Sequence, residues 1–278
     1  MTREDAEDPQ SSLDDAIEPA VHAVWIGASL GEVHAACLRS FVLAGHRMHL
    51  HCYDIPRNVP PGVETVDASR LMSRDQIVYY KSNGSPSLFS NLYRLKILEA
   101  GLGLYVDCDV FCLRPIPRRD YIFGYQASDQ LNGAVLKLPV GSKTLLGMLK
   151  FAEDPYYIAP WLSRSKLARY KARRVIGLPI HISNYGWGKL GPEALTYFAR
   201  QAGITHHAAP IDVFYPVHHH QVAMLLDPGL SLSHIGTPRT LCIHLFDQTL
   251  RQQMAGHAIA PDSPLGQMLR HCGPSRPA

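Results

Sequence analysis

The sequence predicts an α/β protein, a mixed sheet flanked by helices, with a helical insertion in its second half. Three observations carry this expectation. A strand, a helix and a second strand follow one another within residues 21–53, the size of a βαβ unit with its parallel sheet. The strongest helix pattern of the chain feeds straight into a short apolar strand that ends in two carboxylates, Asp107 and Asp109. Beyond residue 140 the strand signals thin out and helical, aromatic-rich segments replace them.

The elements follow in order. Val21–Ile26 is an apolar run ended by Gly27, and Glu32–Leu43 places Val33, Cys37, Leu38 and Phe41 on one helical face before Gly45. Arg47–Tyr53 alternates Met48, Leu50 and Cys52 against His49 and His51, as a strand with one buried face does. Pro56, Pro60, Pro61 and Gly62 interrupt the chain before a short third strand at Val63–Val66. In Ser85–Gly101, Ser85 suits the N-cap and Pro86 the first helical position. Leu88, Leu92, Leu95 and Leu98 form its stripe, and Gly101 suits the C-terminal stop. Gly103–Val106 is the strand that carries the acidic pair. Tyr121–Gln126 and Ala134–Leu138 read as strands, Ser142–Ala152, Arg164–Arg174 and Pro192–Gln201 as helices, and Leu241–Phe246 as a late strand.

With 278 residues, 46% of them hydrophobic and 18% charged, the chain is expected to form one large domain over residues 20–278. Residues 1–19, rich in Asp and Glu, are expected to be a disordered leader. A net charge of +3 with scattered Lys and Arg does not point to nucleic acid. The densest basic stretch, Arg164–Arg174, reads as the solvated face of a helix. Its functional alternative is a surface for anionic lipid headgroups or an acidic acceptor. No apolar run has the ~20 residues of a membrane span and no signal-type segment follows Met1. The expected location is therefore the cytoplasm, with peripheral contact at the inner face of the membrane left open. The six cysteines lie mostly in apolar segments and read as buried thiols of a reducing compartment.

Asp107-Cys108-Asp109 carries the chemistry. Two carboxylates one residue apart raise each other's pKa, and burial adds to the cost. A hard divalent cation, Mn²⁺ or Mg²⁺, removes that cost because it prefers oxygen ligands. The open end of such a strand is also where α/β sheets place ligands.

Ser90-Asn91-x-x-Arg94 on the long helix, then Gly101-x-Gly103-x-Tyr105-x-Asp107-x-Asp109, together with His22-x-x-Trp25-Ile-Gly27, resembles the family 32 glycosyltransferases with their D-x-D sugar-binding motif, and more distantly the glucosylating toxin catalytic domains. The resemblance spans about residues 21–138 and a piece around His244-Leu245-Phe246. It implies a GT-A type, Rossmann-like fold, with a nucleotide-sugar half over residues 20–140 and an acceptor-side half over 141–278. It implies a retaining, metal-dependent hexosyltransferase that uses a nucleotide sugar, UDP-linked, and a saccharide or lipid-linked saccharide acceptor in surface polysaccharide synthesis. By the same resemblance Trp25 stacks on the nucleobase while the Val24 backbone reads its edge. Arg94 holds the donor sugar and diphosphate, Asp107 contacts the metal shell and donor, and Asp109 binds the metal. His244 supplies a further ligand, and Asn132 lies near the donor sugar. The family usually has Asp where this chain has Asn91, which keeps one acceptor and adds donors.

Each residue has a plainer reading: Trp25 as core, Arg94 as a helix-surface arginine, His244 as a satisfied core histidine, and Trp161, Tyr185 and Trp187 as packing rather than acceptor-lining aromatics. The runs His206-His207 and His218–His220 read as polar loop, because neighbours on a strand face opposite ways. A haloacid-dehalogenase-type phosphatase shares the strand and D-x-D, but no second acidic pair follows Asp109. A catalytically weakened sugar-nucleotide-binding protein is the other alternative.

Overall fold

The computed structural model describes residues 16–273 apart from 83, 187, 255 and 257. Its strands β1 (Ala20–Trp25), β2 (Arg47–Cys52), β3 (Val63–Asp67), β4 (Leu104–Val106), β6 (Ile122–Ala127) and β7 (Gln130–Lys137) form one sheet in the order β3-β2-β1-β4-β7-β6. β1 to β4 run parallel, while β7 lies antiparallel to both β4 and β6. Between them in sequence, β5 (Val110–Cys112) turns away and pairs antiparallel with β8 (Cys242–His244). This is the mixed, Rossmann-like α/β sheet with flanking helices that the sequence predicts.

Helix α1 (Glu32–Leu43) covers one face, with Leu38 and Phe41 against Val21, Met48, Leu50 and Val106. On the other face α2 (Ser87–Glu99), α3 (Lys143–Glu153) and α5 (Pro192–Ala202) pack Leu92, Leu95, Leu145, Leu149 and Leu195 against Tyr105 and Leu136. A third core joins Phe111 and Ile243 to α8 (Asp247–Met254) and α9 (Pro264–Cys272) through Leu250, Leu265 and Met268. The basic α4 (Arg164–Val175) and the short α6 (Ile211–Phe214) and α7 (Leu232–Ile235) complete the second half. No helix among the described residues is long and apolar enough to cross a membrane.

Three local differences from the sequence reading have physical reasons. Most of the proposed leader, residues 1–15, lies outside the described residues, but Glu18 is buried. Its carboxylate accepts from Lys137 Nζ at 2.6 Å and its carbonyl faces His46 Nδ1 at 2.6 Å, so the packed chain begins before Ala20. The α2 helix opens at Ser87, because the Ser85 hydroxyl accepts from the Ser87 amide and leaves Pro86 at the cap. The late strand is shorter than expected, since Phe246 turns out of it with φ +49°.

Gly103 shows why the β4 sequence is so restricted. Its φ is +138°, and a Cβ there would sit 2.6 Å from the Ala20 carbonyl oxygen of the neighbouring strand. Only glycine meets both conditions.

Candidate active site

The sheet delivers Asp107 to the carboxyl end of β4, where its amide donates to the Ala134 carbonyl at 2.8 Å. Asp109 leads into β5 and His244 closes β8, and Val110 pairs directly with His244. Strand pairing thus joins residues 109 and 244 without any local signal between them. One ligand atom each from Asp107, Asp109 and His244 lies within 4.8 Å of the others. Cys108, between the carboxylates, donates its thiol to the Val24 carbonyl at 3.4 Å and ties the turn to β1.

Arg94 is 6% exposed and almost wholly spent on structure. Nη2 donates to both Asp107 oxygens (2.9 and 3.3 Å), Nη1 to the Gly133 carbonyl at 2.6 Å, and Nε to the Ser90 carbonyl at 3.3 Å. The Tyr105 hydroxyl donates to Asp107 Oδ1 at 2.8 Å, and the guanidinium lies 4.8 Å above the Tyr105 ring. Burial opposes the charge on Arg94, but Asp107 and Tyr105 more than offset it and raise its pKa. The plainer reading of Arg94 as a surface residue fails: it aims Asp107.

Asp109 is held differently. Oδ1 lies 3.3 Å from His244 Nε2, and Oδ2 accepts from the Asp247 amide at 2.9 Å. Burial works against its ionisation. The His244 ring, the Asp247 amide and His34 outweigh burial and hold the carboxyl far below the usual range. Reciprocally, burial lowers the pKa of His244 while Asp109 raises it further, leaving a net rise.

The donor set fits a divalent cation. Two carboxylates and an imidazole converge, and His244 Nδ1 is buried with no hydrogen-bond partner among the described residues. A buried orphan nitrogen beside a like-charged pair is costly unless a ligand completes the set. Asp107, Asp109 and His244 would hold the ion.

The remaining expected residues are placed as follows. Trp25 ends β1 with its ring 4.7 Å from His34 and its Nε1 buried without a hydrogen-bond partner among the described residues. His34 Nε2 is 3.4 Å from Asp247 Oδ1, so Trp25 is linked to Asp109 through His34 and Asp247. Asn91 hydrogen-bonds Tyr80 and faces Gly191 just ahead of α5. Asn132 is engaged inside the β6–β7 hairpin. Its amide donates to Gln126 at 2.6 Å and its oxygen accepts from the Ala134 amide at 2.7 Å. Its carbonyl takes the buried Tyr215 hydroxyl at 3.2 Å, so its visible work is to shape the strand beside Asp107.

Two side-chain groups escaped the sequence reading. Tyr105 stands within the quoted motif, and its period-2 relation to Asp107 puts both on one face of the strand. His34 and Asp247, in contrast, meet only through the fold. His218–His220 also differ from expectation: they begin a 3₁₀ turn rather than a strand or open loop, and their imidazoles come within 4.8 Å of one another. His219 packs 6.0 Å from Phe246, which packs 4.0 Å from His244, at the rim of the acidic site. Tyr185 is buried and donates to the Tyr157 carbonyl, and the Trp161 indole donates to the Lys189 carbonyl. Both therefore serve packing at least. Trp187 lies outside the described residues.

With this geometry in place, comparison with known proteins finds 34 solved chains that match. The chain superposes on the solved structure of the PaToxG glycosyltransferase over 95% of its own length and 89% of the other's, with 13% sequence identity and a TM-score of 0.42. No protein-family model matches the chain, and no curated protein matches it.

Proposed function

We propose that this chain is a metal-dependent, retaining glycosyltransferase that moves a hexose from a UDP-linked donor to a saccharide or lipid-linked saccharide acceptor, as in surface polysaccharide synthesis. One observation carries the reading. Asp107, Asp109 and His244 converge at the carboxyl end of the sheet, with Arg94 and Tyr105 fixing Asp107. A divalent cation bound there supplies the positive charge that a departing diphosphate requires.

The residues have separate tasks. Asp109 and His244 are the more deeply buried pair, and Asp107, held by Arg94 and Tyr105, is the most exposed of the three. Trp25 offers a half-buried indole at the end of the neighbouring strand for the nucleobase. Asn91, near α5, is the group on which donor preference turns.

Transfer with retention needs either a carboxylate nucleophile or attack on the same face as the leaving group. Asp107, Asp109 and Asp247 are each engaged, with Arg94 and Tyr105, with His244, and with His34 and Arg251 respectively. That occupancy favours same-face attack. The bond from the anomeric carbon to the diphosphate breaks, the acceptor oxygen bonds to that carbon, and its proton passes to the departing phosphate oxygen. It also disfavours a phosphatase, whose nucleophilic Asp107 would have to be free.

A thermal-shift panel of nucleotide sugars, each with and without Mn²⁺, tests the reading. Stabilisation by one donor that depends on the metal and is lost in Asp109→Ala is expected. Metal-independent stabilisation, or none from any donor, contradicts it. NMR of the product should show the donor's anomeric configuration preserved.

A further inference from the structure

Between Asp154 and Glu193 the chain has no acidic residue but a dense run of basic ones, six of them on α4: Arg164, Lys166, Arg169, Lys171, Arg173 and Arg174. A helix this polar is stable only if something other than its own amphipathicity accounts for it. Tyr170 is its one buried residue among those described. Arg174 is partly neutralised by Asp154, at 3.6 Å, and the others face solvent.

The C-terminal turn of this helix is apolar and open. Val175, Ile176 and Leu178 are 86%, 69% and 56% exposed. The turn is nonetheless built. Ile176 N–H donates to the Ala172 carbonyl, Leu178 N–H to the Arg173 carbonyl at 2.8 Å, and Arg173 Nε back to the Leu178 carbonyl at 3.1 Å. Gly177, at φ +74°, permits the reversal. Three large apolar side chains are thus held out into water directly after Arg173 and Arg174 in the chain.

We infer that this turn docks on an anionic lipid bilayer, with Val175, Ile176 and Leu178 entering the headgroup boundary and the α4 cations binding acidic headgroups. Basic charge alone would suit a nucleic acid equally, but phosphate contacts offer nothing to the three apolar side chains. A bilayer interface rewards both features. Tyr170 packs edge-on against Tyr185 at 5.5 Å, and the same loop carries Gly191 to Asn91. The docking turn is therefore connected through Tyr170 and Tyr185 to the segment that meets Asn91, the residue on which the proposed donor preference turns.

Co-sedimentation of the full chain with vesicles tests this. Binding to phosphatidylcholine–phosphatidylglycerol vesicles is expected at about 0.1 M salt and should weaken about tenfold or more at about 1 M, with little binding to phosphatidylcholine alone. Ile176→Asp with Leu178→Asp, and separately Lys166→Glu with Lys171→Glu, should each cut vesicle binding about tenfold. Because all four side chains are exposed, the melting temperature and the metal-dependent donor stabilisation should not change, which separates this inference from the proposed activity. Equal binding to neutral vesicles, no binding, binding untouched by either pair, or capture of an oligonucleotide with vesicles ignored would each overturn it.

Discussion

Arg94 and Asp107 set the residue-scale logic. A guanidinium buried beside a carboxylate has a planar fork that an ammonium does not reproduce. Here that fork is divided among Asp107, Gly133 and Ser90. Arg94→Lys should therefore lower transfer by about 100-fold or more although the charge is kept, and steady-state rates on the donor found by the panel will check it. Arg94→Ala leaves Asp107 without its cationic partner and should cost about 3 kcal/mol of stability by urea unfolding. Asp109→Asn removes a metal ligand that is not needed for the same clamp. It should abolish metal-dependent donor binding while lowering the melting temperature less than Arg94→Ala does.

At the scale of elements, β7 and the β5–β8 ribbon decide whether the site assembles. Gly133 lies against Arg94: a Cβ at that position would come within 2.9 Å of Nη1. That atom is the end of a flexible side chain, so the strand survives and the guanidinium moves. Gly133→Ala is expected to cost only ~1 kcal/mol of stability but to reduce activity at least tenfold, measured as rate beside the unfolding midpoint. Such a residue is hard to find in a sequence, since its function is to leave room.

The β1–α1–β2 unit, α2 and the acidic strand are legible because each carries a local reason: period-2 or helical spacing, a proline near a helix start, and Gly103 where only glycine fits. The ribbon is not. Val110–Cys112 is three residues long, and its partner His244 lies far along the chain. His34–Asp247 likewise depends on α1 and α8 meeting across the third core. His218–His220 escape a reading by strand alternation because a 3₁₀ turn forms there.

For the whole molecule, the core contains a histidine cluster that ties its stability to pH. His22 Nδ1 lies 2.9 Å from His51 Nε2, His51 Nδ1 3.0 Å from the Tyr93 hydroxyl, and His22 stacks on His49 at 4.7 Å. Burial, aided by the neighbouring imidazoles, lowers His22 to about 3 and His51 to about 4. Both are thus neutral in the folded state where the unfolded chain, near 6.5, binds protons. As pH falls below about 6.5 the unfolded state gains protons that the folded state does not, so stability drops until the folded pKa values are reached. A tenfold difference in proton affinity between the two states is worth about 1.4 kcal/mol. Urea midpoints should fall steadily from pH 7 to about pH 4. The His22 and His51 ring resonances should stay unshifted down to about pH 5, and titration of either near 6.5 would contradict the placement.

The same fold brings residues 94, 107, 109 and 244 together, and under the proposed function Asp107, Asp109 and His244 hold the metal that binds the diphosphate while Arg94 positions Asp107. Calorimetric titration of UDP, with and without Mn²⁺, on the wild type and on Asp109→Ala tests it most directly. UDP binding is expected to strengthen at least tenfold with Mn²⁺ in the wild type, about 1.4 kcal/mol or more, with no metal enhancement in the variant. Equal UDP affinity with and without Mn²⁺, or an enhancement that survives Asp109→Ala, would contradict it.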